Sequence, residues 1–243
     1  MSHIIESLEG SEIIKKFCQQ EHFYDCGKKK IFNWQNLIVS VENIENSQTA
    51  IKKKTTLLNM IGGLDRPSEG KVFINEILIS DLDDEELCIF RRKNIGVVFQ
   101  NYNLLPVLNA YENIVLPQKL SGCEYDVDFI EEVAHFLGIK DKLMQMPTTL
   151  SGGQQQRVAI ARALCMKPAI ILADEPTGNL DSKASRNVIE LMQQMAETYN
   201  QTAVIVTHSE EIAKRATRII RMEDGNILNT KASPFTVGHL TSI

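Results

Sequence analysis

Short apolar runs alternate with longer amphipathic stretches along most of the chain, and turn residues separate them. This alternation is typical of a mainly parallel sheet covered by helices. The predicted strands are Asn36–Val41, Ile95–Phe99, Ala169–Ala173, Ala203–Thr207, Arg218–Met222 and Asn226–Leu228, with a hairpin made by Lys71–Ile74 and Ile77–Ile79. The predicted helices are Thr55–Ile61, Asp83–Lys93, Phe129–Leu137, Ser151–Cys165, Ser182–Tyr199 and Glu210–Ala216.

The pattern changes over residues 101–150, where Pro106 and Pro117 interrupt the chain and the stretch from Phe129 is helical. We expect this stretch to be a helical subdomain inserted into the α/β domain. The predicted fold class is therefore α/β, with a mainly parallel sheet core, an antiparallel β part and an inserted helical subdomain. We expect residues 1–243 to form a single domain of this kind.

Composition narrows the class of protein further. The 243 residues carry 26 Lys and Arg against 31 Asp and Glu, a formal charge of -5, which argues against a dedicated nucleic-acid binder. The apolar runs fall far short of the roughly 20 residues that a transmembrane helix needs. The N-terminal stretch, which contains Glu6 and Glu9, does not have the pattern of a signal peptide. Five cysteines without a CxxC pair indicate free thiols, so we expect a soluble intracellular protein.

Two adjacent carboxylates, Asp174 and Glu175, directly follow the continuous apolar run Ala169–Ala173. A run without polar interruption is typical of a central parallel strand, and open α/β sheets bind ligands at the carboxyl ends of such strands. Asp174 can hold Mg²⁺ through water while Glu175 orients and polarises an attacking water. The same sequence, Ala169–Pro176, also fits a strand that simply ends in polar residues.

A second candidate is the sequence LSGGQQQR at Leu150–Arg157, which leads into an alanine-rich helix. Ser151 is a good N-cap, and Gly152 and Gly153 expose backbone N–H groups where the helix dipole favours an anion. The sequence therefore predicts a phosphate site, although an ordinary Ser/Gly helix start has the same composition.

Two more polar residues follow predicted strands. His208 comes directly after Ala203–Thr207 and can contact a γ-phosphate, and the amide of Gln100, after Ile95–Phe99, can ligate Mg²⁺ or a water. A lone histidine is more often structural or solvated, and most glutamines are neither ligands nor catalytic.

The order and spacing of these elements resemble the ATP-binding subunit of ABC transporters from about Thr55 to Leu228. The matching segments are Gln100 for the Q-loop, Leu150–Gln154 for the signature motif, Leu172–Glu175 for the Walker B element, Asn179–Asp181 for the D-loop and His208 for the switch histidine. The stretches Asn101–Pro117 and Thr177–Asp181 are similar to the macrolide-export and lipoprotein-release type. In that type the first stretch faces a permease, which suits apolar side chains at Leu104, Leu105 and Leu108, unless these leucines only pack the subdomain.

The pattern breaks at the P-loop, GxxxxGK[ST], which should precede the helix. Lys54, Thr55 and Thr56 match its end, but Gln48–Lys53 contains no glycine, and the upstream segment Glu42–Ser47 does not alternate like a strand. Holding two or three non-glycine residues in left-handed backbone costs ~2–6 kcal/mol, or roughly 30-fold to 10⁴-fold weaker nucleotide binding. Residues 1–54 are thus atypical for the family, and three explanations compete. The reading frame or the sequence contains a local lesion, or the chain is a degenerate subunit that works beside an intact partner. In the third explanation, the lysine-rich loop still binds ATP weakly.

The resemblance implies ATP and Mg²⁺ as ligands and assigns a role to each matching residue. Glu175 corresponds to the general base, with His208 and Gln100 as further catalytic residues, and the Mg²⁺ ligands are Thr55, Gln100 and Asp174. The nucleotide-binding residues are Lys54, Thr55, Thr56, Ser151, Gly152, Gly153, Gln154 and Asp181.

The resemblance also implies partners and a place in the cell. The partners are a membrane permease and a second ABC ATPase subunit, in a homodimer or heterodimer, with no nucleic acid. The chain is expected to be cytoplasmic and peripheral on the inner face of the membrane. The alternative is a nucleotide-binding-defective subunit that only docks on a permease or an intact ATPase; an ABC protein acting on ribosomes or DNA is disfavoured by the absence of tandem domains and coiled coils.

Overall fold

The computed structural model describes residues 24–26, 29–31, 37–40, 48–67, 71–75, 77–122, 124, 126–199, 201–223 and 226–232. The chain divides into two compact units. The first unit contains residues 1–87 and 204–243, and the second unit contains residues 88–203.

The described residues form ten strands, seven α-helices and three short 3-10 helices. The strands are β1 Tyr24–Cys26, β2 Lys29–Ile31, β3 Leu37–Ser40, β4 Phe73–Ile74, β5 Ile77–Leu78, β6 Ile95–Phe99, β7 Ile170–Asp174, β8 Thr202–Thr207, β9 Arg218–Glu223 and β10 Asn226–Ala232. The α-helices are α1 Gln48–Ile61, α2 Asp84–Asn94, α3 Ala110–Leu120, α4 Val127–Phe136, α5 Gly152–Leu164, α6 Ser182–Thr198 and α7 Glu210–Ala213. The 3-10 helices are Ile79–Asp81, Lys140–Lys142 and Pro147–Thr149.

The first unit contains a mixed sheet in which β3 lies between β8 and β9. β3 is parallel to β8, with Ile38 opposite Ile205, and parallel to β9, with Ile38 opposite Ile219. β9 and β10 are antiparallel, β1 pairs with β2, and β4 pairs with β5 in a hairpin. The hairpin is confirmed where it was predicted, and Asn75 at its turn has a φ of 48°, a left-handed conformation that asparagine tolerates.

The first helix differs from its prediction, because α1 begins at Gln48 and not at Thr55. The segment Gln48–Lys53, where the family has a glycine-rich turn, is helical. It contains neither glycine nor proline, so nothing in it interrupts helix propagation. Beyond the first turn of an α-helix the backbone N–H groups donate to carbonyls four residues earlier. Those of Lys54 and Thr55 are therefore used within the helix and do not form a phosphate-binding loop.

In the second unit, helix α5 lies against strand β6 and against helices α3, α4 and α6. One face of α5 is fully buried, including Val158, Ala159 and Leu164. The helix approaches β6 closely at Gly96, where a Cβ atom would lie 2.5 Å from the Ala163 carbonyl oxygen. Glycine at this position therefore allows the helix to pack on the strand.

The described part of residues 101–150 contains two α-helices, of which α4 was predicted and α3 was not. Pro117, interpreted as an interruption, lies inside α3. A proline removes one helical hydrogen bond, but burial of Ile114 and Val115 stabilises the helix. A capping box also fixes the start of α3. Asn109 Oδ1 accepts a hydrogen bond from the Glu112 backbone N–H, and Glu112 Oε2 accepts one from the Asn109 backbone N–H.

The substitution Gly96→Ala should lower the free energy of unfolding by about 1–3 kcal/mol, because the added methyl group would press on the backbone of α5. The measurement is the midpoint of urea unfolding, monitored by circular dichroism. Gly153→Ala is the matched control, since its Cβ atom would meet only the Ala184 Cβ at 3.8 Å and should cause no loss of stability. Equal midpoints for the two variants would contradict the close packing.

Candidate functional site

Three of the predicted site residues lie at one edge of the second unit. β6 and β7 are parallel neighbours, and Phe99 lies opposite Asp174 at their carboxyl ends. Gln100 follows β6 and Glu175 follows β7, so both residues leave the same edge of the strand pair. We call Gln100, Asp174 and Glu175 the strand-end group. The structure thus brings these three predicted residues to one edge of the strand pair.

The backbone of Glu175 has an unusual conformation. Its φ is 45°, in the left-handed region that non-glycine residues rarely adopt. The turn that follows is closed by hydrogen bonds from the Gly178 N–H to the Glu175 carbonyl, 3.0 Å, and from the Leu180 N–H to the Thr177 carbonyl, 3.1 Å. Strained residues of this kind persist where the surrounding structure over-determines them, often at functional sites.

Asn179 links the turn after β7 to the turn after β6. Its side-chain amide donates to the Gln100 carbonyl and to Asn101 Oδ1, each at 3.0 Å, and its Oδ1 accepts from Gln100 Nε2 at 3.5 Å. The Gln100 amide also packs on Gly178, where a Cβ atom would overlap it. Asn179 was not among the predicted site residues. Its position in the motif GNLD is the sequence signal that points to it.

The signature turn, Ser151–Gly153, opens helix α5 through a capping box. Ser151 Oγ accepts from the Gln154 N–H at 3.4 Å, and Gln154 Oε1 accepts from the Ser151 N–H at 2.9 Å. The predicted N-cap is therefore confirmed, and Gln154, predicted as a nucleotide contact, holds the backbone of the turn. The N–H groups of Gly152 and Gly153 lie at the positive end of the helix dipole, where an anion is favoured.

Asp181 takes a structural role in addition to the nucleotide contact that the resemblance implies. It is the N-cap of α6, and its Oδ1 accepts from the N–H groups of Lys183 and Ala184 at 2.9 and 2.8 Å. An exposed carboxylate at this position also complements the helix dipole.

The remaining predicted residues belong to the first unit. Lys54 lies in α1 with a side chain outside the described part, whereas Thr55 and Thr56 are half-buried in the same helix. His208 follows β8 directly and is exposed, and Ser209 then caps α7 by accepting from the Ile212 N–H at 3.4 Å. His208 thus lies at a strand end, as its position in the sequence predicts.

The segment after Gln100 presents apolar side chains, but not in the predicted pattern. Leu105 is 43% exposed and Val107 is 78% exposed, whereas Leu104 and Leu108 are half-buried. The buried side chain of Asn113 holds this loop, because it accepts from the Leu105 N–H at 2.7 Å and donates to the Leu108 carbonyl at 2.9 Å. Of the three leucines, only Leu105 is therefore exposed, and Val107 is a second exposed apolar residue of this loop.

The donor set fits a magnesium ion shared with phosphates. Within the described ranges no three His, Cys, Asp or Glu side chains converge in a metal-binding cluster. Magnesium is usually held by one or two carboxylates together with waters and phosphate oxygens, and Asp174 with Gln100 supplies such a partial set. Among the described residues, no helix combines the length and the apolar character that crossing a membrane requires.

Comparisons with known proteins identify one family. A family model described as ABC transporter matches residues 54–178. The chain is 44% identical over 177 residues to the lipoprotein-releasing system ATP-binding protein LolD of Bacteroides fragilis, covering 72% of this chain and 82% of that protein. It is 43% identical over 174 residues to the macrolide export ATP-binding/permease protein MacB of Bdellovibrio bacteriovorus, covering 72% of this chain and 27% of that protein.

A solved structure agrees with this match. The ATP-binding cassette MJ0796 of Methanocaldococcus jannaschii, a dimer in a post-hydrolysis state bound to ADP and phosphate, superposes with a TM-score of 0.69 at 36% sequence identity. The alignment covers 86% of this chain and 94% of that chain. The chain spans about half the length of its first two curated relatives, 57% and 52%.

Loss of the Asp181 cap should destabilise the protein whether or not a nucleotide is present. Asp181→Ala should lower the free energy of unfolding by about 0.5–2 kcal/mol, because two N–H groups of α6 lose their acceptor. Asp181→Ser keeps a good N-cap and should unfold close to the wild type. Thermal unfolding of the three proteins without nucleotide measures the effect, and identical midpoints for the alanine and serine variants would exclude a capping role.

Proposed function

Because the chain belongs to the ABC transporter family of ATP-binding proteins, we propose that it binds ATP and couples ATP hydrolysis to export of a substrate through a membrane permease. Membership of the family confirms the prediction made from the sequence motifs. The predicted similarity to the macrolide-export and lipoprotein-release type is confirmed by the LolD and MacB relatives. The α/β fold predicted with it is confirmed as well.

The observation that carries the proposal is the strand-end group. Asp174 and Gln100 would hold Mg²⁺ directly or through water, and the ion would neutralise charge on the transferred phosphoryl group. Glu175 would accept a proton from the attacking water, and its left-handed backbone fixes the point from which its side chain extends. His208 would contact the γ-phosphate.

The signature turn supports a second subunit in the reaction. Gly152 and Gly153 present helix N-terminal N–H groups, and Ser151 is exposed beside them. We propose that these groups complete the nucleotide site of a second ABC ATPase subunit, either a copy of this chain or a different one. The permease would hold the assembly at the inner face of the membrane and contact the loop that carries Leu105 and Val107.

The chain's own phosphate contacts would come from α1. Lys54, Thr55 and Thr56 lie in this helix without a preceding glycine-rich turn, so charge and hydroxyl groups would replace part of the missing cradle. The alternative of a subunit that docks without binding nucleotide gains no support from the relatives. The two proposed functions differ at helix α1, because an ATPase subunit would bind ATP there and a docking-only subunit would not.

Equilibrium titration of the purified chain with ATP and Mg²⁺ tests the proposal. We expect saturable binding that weakens at least tenfold in Lys54→Ala, because one charge near the phosphates is worth about 1.4 kcal/mol or more in a partly desolvated site. Glu175→Gln should keep binding and lose hydrolysis, and chelation of Mg²⁺ should abolish hydrolysis.

A copy with residues 48–55 replaced by GPSGSGKS is the matched comparison. If this copy binds ATP and the natural chain does not, the docking-only alternative replaces the proposal. Hydrolysis that is unchanged in Glu175→Gln would remove the assigned general base.

A further inference from the structure

Two residues with left-handed backbone lie shortly after Gln100 and are separated from it by Asn101. Tyr102 and Asn103 have φ values of 58° and 47°, both in the left-handed region. Asparagine tolerates this conformation, but tyrosine rarely adopts it, and the pair persists only when neighbouring groups hold it. The question is therefore which side chain holds this segment in place, and what the conformation positions.

Arg162 of α5 holds it. Its Nη2 donates to the Tyr102 carbonyl at 2.7 Å, and its Nη1 donates to the Asn103 carbonyl. A planar guanidinium matches two consecutive carbonyls in a way that a lysine ammonium cannot. Burial lowers the pKa of Arg162 from its ordinary value, but a guanidinium remains charged, and charged donors make stronger hydrogen bonds than neutral ones.

The Tyr102 side chain contacts the opposite end of the same helix. A Cβ atom on Gly152 would lie 2.9 Å from the Tyr102 hydroxyl oxygen and 3.8 Å from its ring carbon Cζ. Burial raises the pKa of this hydroxyl, so it is neutral at physiological pH. Gly152 and Arg162 are ten positions apart, roughly 15 Å along the helix. Tyr102 is thus attached by its backbone near one end of α5 and by its ring near the other.

We propose that Arg162 is a positioning residue for the signature turn and for Gln100. By holding Tyr102 and Asn103 in the left-handed conformation, it keeps the Tyr102 ring against Gly152 and orients the chain that leaves Gln100. Glycine is required at residue 152 because of this contact within the subunit, in addition to any contact with nucleotide. The effect on hydrolysis rests on the proposed function, whereas the effect on the free chain does not.

Hydrogen–deuterium exchange of the chain without nucleotide tests the positioning. Arg162→Met should raise exchange several-fold at residues 101–105 and 152–155, with a smaller rise in Arg162→Lys, and should leave α4 unchanged. Arg157→Met is the matched control, because Arg157 lies on the same helix and donates to the Leu137 carbonyl at 3.1 Å. This control should raise exchange near Leu137 only. Unchanged exchange at residues 101–105 in Arg162→Met would overturn the proposal, as would the same increase in both variants.

A suppressor experiment tests the Tyr102 contact. Gly152→Ala should lower the urea midpoint, and Tyr102→Phe should restore most of the loss, because only the hydroxyl oxygen lies within 3.0 Å of the added methyl group. Equal losses with tyrosine and phenylalanine at residue 102 would overturn the contact.

The kinetic readout separates positioning from binding. In a chain that hydrolyses ATP, Arg162→Lys should lower kcat about tenfold and leave KM within about twofold, because misplacement of catalytic groups reduces turnover more than affinity. An unchanged kcat in both Arg162→Lys and Arg162→Met would overturn the catalytic part of the inference. Failure of the natural chain to bind ATP would instead remove the proposed function, and the exchange and suppressor results would still decide whether Arg162 positions the turn.

Discussion

The parallel pairing of β6 with β7 is the interaction on which the candidate site depends. Because Phe99 lies opposite Asp174, the residues that follow the two strands leave the sheet side by side. Helix α5 packs on β6 and can approach it closely only because residue 96 is glycine. The position of the strand-end group therefore depends on a contact near the start of β6, at the opposite end of the strand from Gln100.

The positions of Asp174 and Glu175 could be predicted from the sequence because a continuous apolar strand has few interpretations other than a buried parallel one. Helix α3 could not, since Pro117 argued against it and the burial that stabilises it is a tertiary property. The predicted start of α1 at Thr55 was wrong, because Gln48–Lys53 contains no helix-breaking residue and the helix extends through it. The contacts of Asn179, Arg162 and Tyr102 join residues about 50 to 80 positions apart, and the sequence contains no signal for the left-handed backbone of a tyrosine. One signal for Arg162 was present, a lone charge within the otherwise apolar run Val158–Cys165.

The second unit uses side chains from its own motifs to hold the backbone of those motifs. Gln154 fixes Ser151, Asp181 fixes the start of α6, and Asn179 fixes the carbonyl of Gln100. A residue that satisfies backbone groups in the free chain cannot make the same hydrogen bonds to a ligand without a replacement partner. In the function proposed above, such residues would contribute shape to a nucleotide site, while the N–H groups of Gly152 and Gly153 would contribute contacts.

The packing of Gln100 on Gly178 has an evolutionary consequence. Any side chain at residue 178 would occupy the space of the Gln100 amide and displace it, so a change at residue 178 alters the position of the glutamine. A lineage that gains a larger residue at 178 must move the Gln100 side chain and disturb its hydrogen bond to Asn179. Selection that acts on the glutamine therefore preserves the glycine, even though the glycine itself contributes no chemistry.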